Sequence, residues 1–137
     1  MELTEFEKGY MAGIIDGEGS VVLTRFHANE HRSPAITVSS TTREILDFLK
    51  EKCGGTISTK KKYQEHHKDS WMWTLRRDKA IELLNQVQDY LLVPAKYQRA
   101  HLITSEYKKV TPRNGIYSEE KLQAKLDFEE HFMSIVD

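Results

Sequence analysis

Two carboxylates, Asp16 and Glu18, flank Gly17 near the end of Tyr10–Gly19, a stretch that reads as a helix running into a turn. Residues Leu3 to Ile15 carry the helical pattern, and Thr4 with Glu7 three positions on supplies both halves of a capping box. Gly17 and Gly19 bring permissive dihedrals, which predict that the helix stops and the chain turns there. The C-terminal end of a helix is the negative end of its dipole, where cations are stabilised and acids are not. Local rules broken at one spot often mark a functional or strained site. The chemistry such a spot offers is capture of a hard divalent cation, for which carboxylates and a backbone carbonyl are suitable oxygen ligands.

The element that must position these acids has an unusual face of its own. Gly9, Ala12, Gly13 and Asp16 recur at three- and four-residue spacing and so share one side of the helix, leaving it almost bare. Interior glycines cost roughly 1 kcal/mol each relative to alanine, so the bareness needs a reason. Either another backbone approaches closely, or the helix packs tightly within its own domain. A membrane helix pair is excluded, because the apolar run is too short and too interrupted to span a bilayer.

Met11-Ala12-Gly13-Ile14-Ile15-Asp16-Gly17-Glu18-Gly19 closely resembles the nine-residue signature of the LAGLIDADG homing endonucleases, with literal matches at Ala12, Gly13, Ile15, Asp16 and Gly19. The resemblance implies that two such helices pack along their small-residue faces, through Gly9, Ala12, Gly13 and Asp16. Each then presents one acid to a DNA backbone. One signature and no internal repeat imply the homodimeric form. Glu18 falls at the position of the family's essential metal ligand, where many relatives have Asp. Asp16 falls at the first acidic position, chiefly a brace of the helix ends but also near the metal, and the Gly17 carbonyl is a further candidate ligand. Mg²⁺ is the implied metal, with Mn²⁺ or Ca²⁺ able to occupy the site. Lys96, in Pro94-Ala95-Lys96, resembles the family's active-site lysine; Ser40 falls near a water-positioning residue; Arg43 is a second candidate cation.

Length and composition fit that form. At 137 residues the chain is long enough for one domain, 1–137, with a real core. No signal peptide or membrane span is apparent. Cys53 is the lone cysteine, which excludes a disulfide framework and a cysteine-based zinc site; it reads as a small buried hydrophobe and suggests a reducing, intracellular setting. The net charge of −1 argues mildly against nucleic acid, but its distribution does not. Thr56–Arg77 holds a surplus of four positive charges and Ser118–Asp137 a surplus of four negative ones. A basic surface on an otherwise acidic protein can still follow phosphates.

Along the chain, Ser20–Phe26 and Ala35–Ser39 read as strands joined by a polar loop, and Thr41 with Glu44 predicts a capping box for a helix reaching Cys53. Gly54-Gly55 ends it. Thr56–Tyr63 and Ser70–Arg76 read as two more strands, with a charged loop, His66–Asp69, between them. Asp78 is expected to cap a helix running to about Leu92, followed by a helix over Tyr97–Lys109 and a last one from Ser118 carrying Leu122, Leu126, Phe128 and Phe132. The predicted class is α+β, in αββαββα order with two further C-terminal helices. A four-stranded antiparallel sheet has helices on one face and its other face open. The resemblance implies that this open face lies in the DNA major groove.

Strand alternation assigns side chains to that face. Trp71, Trp73 and Leu75 are predicted to point into the core, leaving Ser70, Met72, Thr74 and Arg76 outside. By the same count Ser20, Val22, Thr24, Phe26, Thr37, Ser58, Lys60 and Lys62 face out, a set of hydroxyls and cations suited to base edges and phosphates. A one-residue slip would invert every assignment. His27, His31, His66, His67, His101 and His131 lack zinc-type spacing, and no phosphate-binding glycine loop or nucleophilic triad appears, so no small-molecule cofactor is expected. The expected function is metal-dependent, site-specific double-strand cleavage of DNA at a long, near-palindromic target. The alternative is a non-cleaving nucleic-acid binder on the same fold, such as an RNA splicing maturase or a DNA-binding regulator.

Overall fold

The computed structural model describes residues 1–60 and 69–137. Helix α1 (Glu5–Glu18) leads directly into strands β1 (Gly19–Thr24) and β2 (Ser33–Ser40). Helix α2 (Arg43–Cys53) and strands β3 (Thr56–Lys60) and β4 (Ser70–Arg76) follow, and α3 (Arg77–Val87), α4 (Pro94–Glu106) and α5 (Glu119–Ser134) complete the chain. The sheet is antiparallel throughout, in the order β1-β2-β4-β3. The α+β order and the four-stranded sheet are those read from the sequence. Lys62 and the predicted end of the third strand at Tyr63 lie outside the described residues, as do His66, His67 and Lys68.

The register aligns the inward side chains into rows. Gly19, Val38, Trp73 and Ile57 form one, and Val21, Ile36 and Leu75 form the next. These rows pack with Met11, Ala12 and Ile15 of α1, Leu46 and Leu49 of α2, and Leu83 and Leu84 of α3 into one core. Trp73 is fully buried, and its indole N–H donates to the Gly54 carbonyl at 2.8 Å, as a buried indole requires. Gly55 is needed for room as well as for its φ of +90°, since a Cβ there would stand 2.6 Å from the Thr74 carbonyl oxygen. Cys53 is buried against the Met11 sulfur, and burial pushes its thiol pKa up to about 11, so it is the inert hydrophobe expected.

Several boundaries move for local reasons. The Thr4–Glu7 box forms in both directions, with bonds of 3.1 and 2.9 Å. The Thr41–Glu44 box does not: Ser40 Oγ takes the Thr42 N–H at 2.9 Å, and α2 starts at Arg43 with no side-chain cap. Asp78 is in the first turn of α3 and Arg76 at its cap position, with Arg77 at φ +54°. A non-glycine residue in that region costs about 1–3 kcal/mol. Arg77 donates to Glu30 at 3.0 Å and overlies the Phe26 ring at 5.4 Å, contacts that hold the turn. Helix α3 ends at Val87, a 3-10 turn at Gln88–Tyr90 follows, and α4 begins three residues before Tyr97, with Pro94 at its first turn.

Helix α5 is rotated from the expected face. Lys125, Phe128, Glu129 and Phe132 are buried, whereas Leu122 and Leu126 are 37% and 47% exposed. A buried lysine at the core position is what apolar patterning does not foresee. No helix among the described residues is long and apolar enough to cross a membrane.

Candidate nucleic-acid interface and metal site

Helix α1 does not stop at Gly17; it continues through Glu18, and Gly19 is its C-cap in extended backbone. Gly19 is a glycine for space: a Cβ would lie 2.9 Å from Ile15 Cα and 3.3 Å from the Thr37 carbonyl oxygen. Because Asp16 and Glu18 are both helical, they project about 200° apart at 100° per residue and do not converge. The expected shared acidic pocket is therefore not formed within one protomer. Asp16 accepts the backbone N–H groups of Leu92 at 2.8 Å and Val93 at 3.2 Å, one on each carboxylate oxygen. Each oxygen thus braces the segment that enters α4 and keeps a lone pair for a cation. Glu18 is exposed and has no hydrogen-bond or ion-pair partner among the described residues.

The dipole anomaly is resolved by a residue far along the chain. Lys96, in the first turn of α4, donates from Nζ to the carbonyl oxygens of Ile15 at 2.8 Å and Asp16 at 2.7 Å. Helix α1 has no basic residue of its own in its last turn, and Lys96 supplies that charge. Asp16 and Lys96 thus tie the end of α1 to the start of α4 from both sides, and Glu18 is the acid left over. Ser40 ends β2, two residues beyond Val38, the register partner of Gly19, and its hydroxyl oxygen caps the turn into α2. Arg43 is held by Asp47 at 3.0 Å and lies 5.6 Å over the Trp71 ring, itself the register partner of Ser40. The structure thus puts Ser40 and Arg43 together at the α2 end of the sheet.

Among the described residues, no cluster of three or more His, Cys, Asp or Glu side chains could hold a metal. Glu18 and the Gly17 carbonyl are hard oxygen donors at an exposed helix end, so they fit Mg²⁺, Mn²⁺ or Ca²⁺ only when ligands from outside the protomer complete the shell.

The uncovered sheet face carries the predicted outward set. Ser20, Thr37, Thr74 and Thr56 are register partners in a row of four hydroxyls crossing all four strands. Val22, Ala35 and Arg76 form the next row, and Ser39, Met72 and Ser58 another; Lys60 pairs with Ser70 at the far edge. Thr24 closes β1 on the same side, half-buried, but β1 ends there, so Phe26 belongs to the loop. Its ring lies under the Arg76 guanidinium, 3.8 Å from ring centroid to Cζ. Phe26 is therefore a support for Arg76 and not a strand residue. Nothing in the sequence signals that pairing, because only the folded chain brings the loop after β1 over the end of β4.

The bare side of α1 also shifts. Ala12 is fully buried in the core beside Met11 and Ile15, which corrects its assignment to the bare helix-pairing face. The exposed stripe is Phe6, Tyr10, Gly13 and Gly17, with Gly9 at its margin. A Cβ at Gly9, Gly13 or Gly17 would meet nothing within 4 Å, so the fold of the protomer does not require these glycines. Phe6 is 75% exposed and stacks on Tyr10 at 5.8 Å. Both aromatics sit at helical spacing with the glycines, a signal the sequence contained.

No family model matches the sequence, and no curated protein does. Solved structures do. The homing endonuclease I-CvuI, in complex with its target in the presence of Ca, superposes with a TM-score of 0.74 at 16% identity, over 96% of this chain and 83% of that one. The archaeal intron-encoded homing endonuclease I-Vdi141I, complexed with DNA, gives 0.62 at 20% identity over 97% and 86%. The LAGLIDADG homing endonuclease I-GzeII, also with its DNA target, gives 0.65 at 18% over all of this chain but only 47% of that protein, so the chain spans about half its length. At these identities the superpositions show a shared fold alone.

Proposed function

Starting from a chain with the LAGLIDADG homing-endonuclease fold, we propose that the protein is a homodimeric, metal-dependent DNA endonuclease that makes a site-specific double-strand break. The observation that carries this reading is Glu18: an unpartnered carboxylate at the exposed end of α1, adjoining an open sheet face crossed by hydroxyls and edged by Arg76 and Lys60. Two protomers joined along the Phe6, Tyr10, Gly13 and Gly17 stripe bring two Glu18 side chains near one two-fold axis, one for each DNA strand.

Glu18 and the Gly17 carbonyl would hold the cation, and a bound Mg²⁺ supplies charge neutralisation at the phosphate and a bound water of lowered pKa. The residues of the chain do the rest. The open face docks in the major groove, where the hydroxyl row, Lys60 and Arg76 contact base edges and phosphates. Asp16 and Lys96 fix the direction of the last turn of α1 and so the position of Glu18. Lys96 Nζ spends two donors on carbonyls, which leaves one N–H for a phosphate oxygen or ordered water. Two-fold symmetry implies a near-palindromic target.

The test is selection of cleaved sequences from a random duplex library with Mg²⁺, followed by Glu18→Gln on the selected site. Expected is loss of cleavage with duplex binding in Ca²⁺ retained and unfolding free energy unchanged, since Glu18 has no partner to lose. A Glu18→Gln protein that still cuts removes the catalytic assignment. A wild-type protein that binds the duplex but never cuts favours the non-cleaving maturase or regulator reading.

A further inference from the structure

Leu92, in the turn between α3 and α4, is 87% exposed, the most of any large hydrophobic residue among those described. Its backbone, by contrast, is held from several sides. The Leu92 N–H donates to Asp16 at 2.8 Å, and the Val93 N–H donates to the other oxygen of the same carboxylate at 3.2 Å. Leu91 is buried in the core, and its N–H donates to the Gln88 carbonyl at 3.1 Å. The Tyr90 hydroxyl donates to the Glu5 carboxylate in the first turn of α1. The turn is thus fastened to α1 near both ends of that helix, and the Leu92 side chain is held out from it.

Glu5, Gly9, Gly13 and Asp16 follow one another at three- and four-residue spacing, so they form one row along α1. The turn bonded to Glu5 and Asp16 therefore runs beside the glycines as a wall. On the other side Tyr10 meets Phe48 of α2 edge-on at 5.3 Å between ring centroids. The floor between them is open, since a Cβ at Gly13 or Gly17 would meet nothing within 4 Å. Phe6, Tyr10, Tyr90 and Leu92, all exposed, border this one trough. Contiguous apolar surface of that kind marks contact with another molecule. Glycines, aromatic rings and a leucine offer little to a phosphate, so the occupant is a protein surface. It must accept a projecting leucine and also fill a bare strip. A second copy of this chain does both, because under a two-fold axis a projection and a gap on one face each meet their opposite on the partner.

We propose that Leu92 is a positioning residue that acts across the two-fold axis, packing into the gap over the partner's Gly13 and Gly17 while the partner's Leu92 does the same in return. This role rests on the homodimeric endonuclease reading and deepens it. Leu92 is tied through Asp16 to the last turn of α1, the turn that carries Glu18. The seating of the two leucines therefore sets the spacing between the two Glu18 carboxylates. An anchor held by its own protomer before association loses little conformational entropy on binding, which concentrates the energy of an interface in such residues.

The test is sedimentation equilibrium of the full-length protein as wild type, Leu92→Ala and Leu92→Met, with circular dichroism to show that each variant is folded. Expected is a rise of roughly tenfold or more in the dimer Kd for Leu92→Ala, since burial of a leucine is lost twice in each dimer. Leu92→Met, which conserves volume, should stay within about threefold of wild type. The second readout is cleavage of the selected duplex at protein concentrations that saturate dimerisation. There Leu92→Ala should bind the duplex as wild type does but accumulate product nicked in one strand only. A Leu92→Ala protein that dimerises as tightly as wild type overturns the contact, and one that dimerises weakly yet keeps the wild-type ratio of nicked to fully cut product overturns the positioning role. A wild type that dimerises but never cuts sinks the endonuclease reading alone, and sedimentation still decides whether Leu92 reaches the partner.

Discussion

Replacing Lys96 with methionine isolates the contact on which the geometry of α1 depends. Methionine keeps most of the aliphatic stem and removes the ammonium that donates to the Ile15 and Asp16 carbonyls at 2.8 and 2.7 Å. Hydrogen bonds to charged groups contribute about 1.5–3 kcal/mol each when their partners are buried. This helix end is half-exposed, so water replaces part of that, and the favourable charge–dipole interaction adds about 0.3–1 kcal/mol. A net loss of about 2 kcal/mol is expected, equivalent to a fall in Tm of roughly 6–8 °C for a chain of this size. The assay is urea unfolding followed by the fluorescence of Trp71 and Trp73, with circular dichroism as a second probe. Asp16→Asn, which removes the charge bracing Leu92 and Val93, should cost a similar amount, and the double variant less than their sum. Both changes loosen the same junction, so a coupling of about 0.5–2 kcal/mol is expected. Strict additivity, or a Lys96→Met effect below about 0.5 kcal/mol, would refute the two-sided brace. If the brace is sound, cleavage by Lys96→Met at a temperature well below its own Tm reports the separate contribution of the third N–H to chemistry.

Gly13→Leu should leave the monomer as stable or up to about 1 kcal/mol more stable, because nothing stands within 4 Å of the new Cβ and an interior helical glycine is removed, but should halve the mass seen in sedimentation. An unchanged mass would exclude this face as a dimer contact. Arg76→Ala should weaken duplex binding and relax preference at one base-pair position by about 1–3 kcal/mol, and Phe26→Ala should do the same more weakly through the lost ring beneath it. Unaltered binding by Arg76→Ala would remove the open sheet face from DNA recognition. For Lys125, the folded pKa of about 8 lies below the ordinary 10.5. Between those values the unfolded chain holds a proton that the folded chain has released, so stability rises with pH across that window, by about 3 kcal/mol in total, and is level below it. Unfolding free energies of wild type and Lys125→Met measured from pH 7 to 10 should therefore diverge upward for wild type; parallel curves contradict a buried ammonium.

What the sequence determined by itself was whatever is encoded in short range. The Thr4–Glu7 cap, the end of α2 at Gly54-Gly55, and the alternation that sends Trp73 inward and Thr74 and Arg76 outward were all legible, because each depends on residues a few positions apart. The nine-residue signature carried the fold as well. The sequence could not show where α1 ends. Gly17 looks like a stop signal, yet the helix continues because Lys96, eighty positions on, caps its final carbonyls. That single contact decides the site: with Asp16 and Glu18 both helical they diverge, and Asp16 becomes a brace while Glu18 is left free. Nor did helical spacing decide Ala12, which lies on the margin between the bare stripe and the core and was drawn inward by packing with Met11 and Ile15. Lys125 is the clearest case. Its burial, like the pairing of Phe26 with Arg76, depends on segments that only the folded chain brings together, where desolvation and neighbouring charge outweigh any local preference.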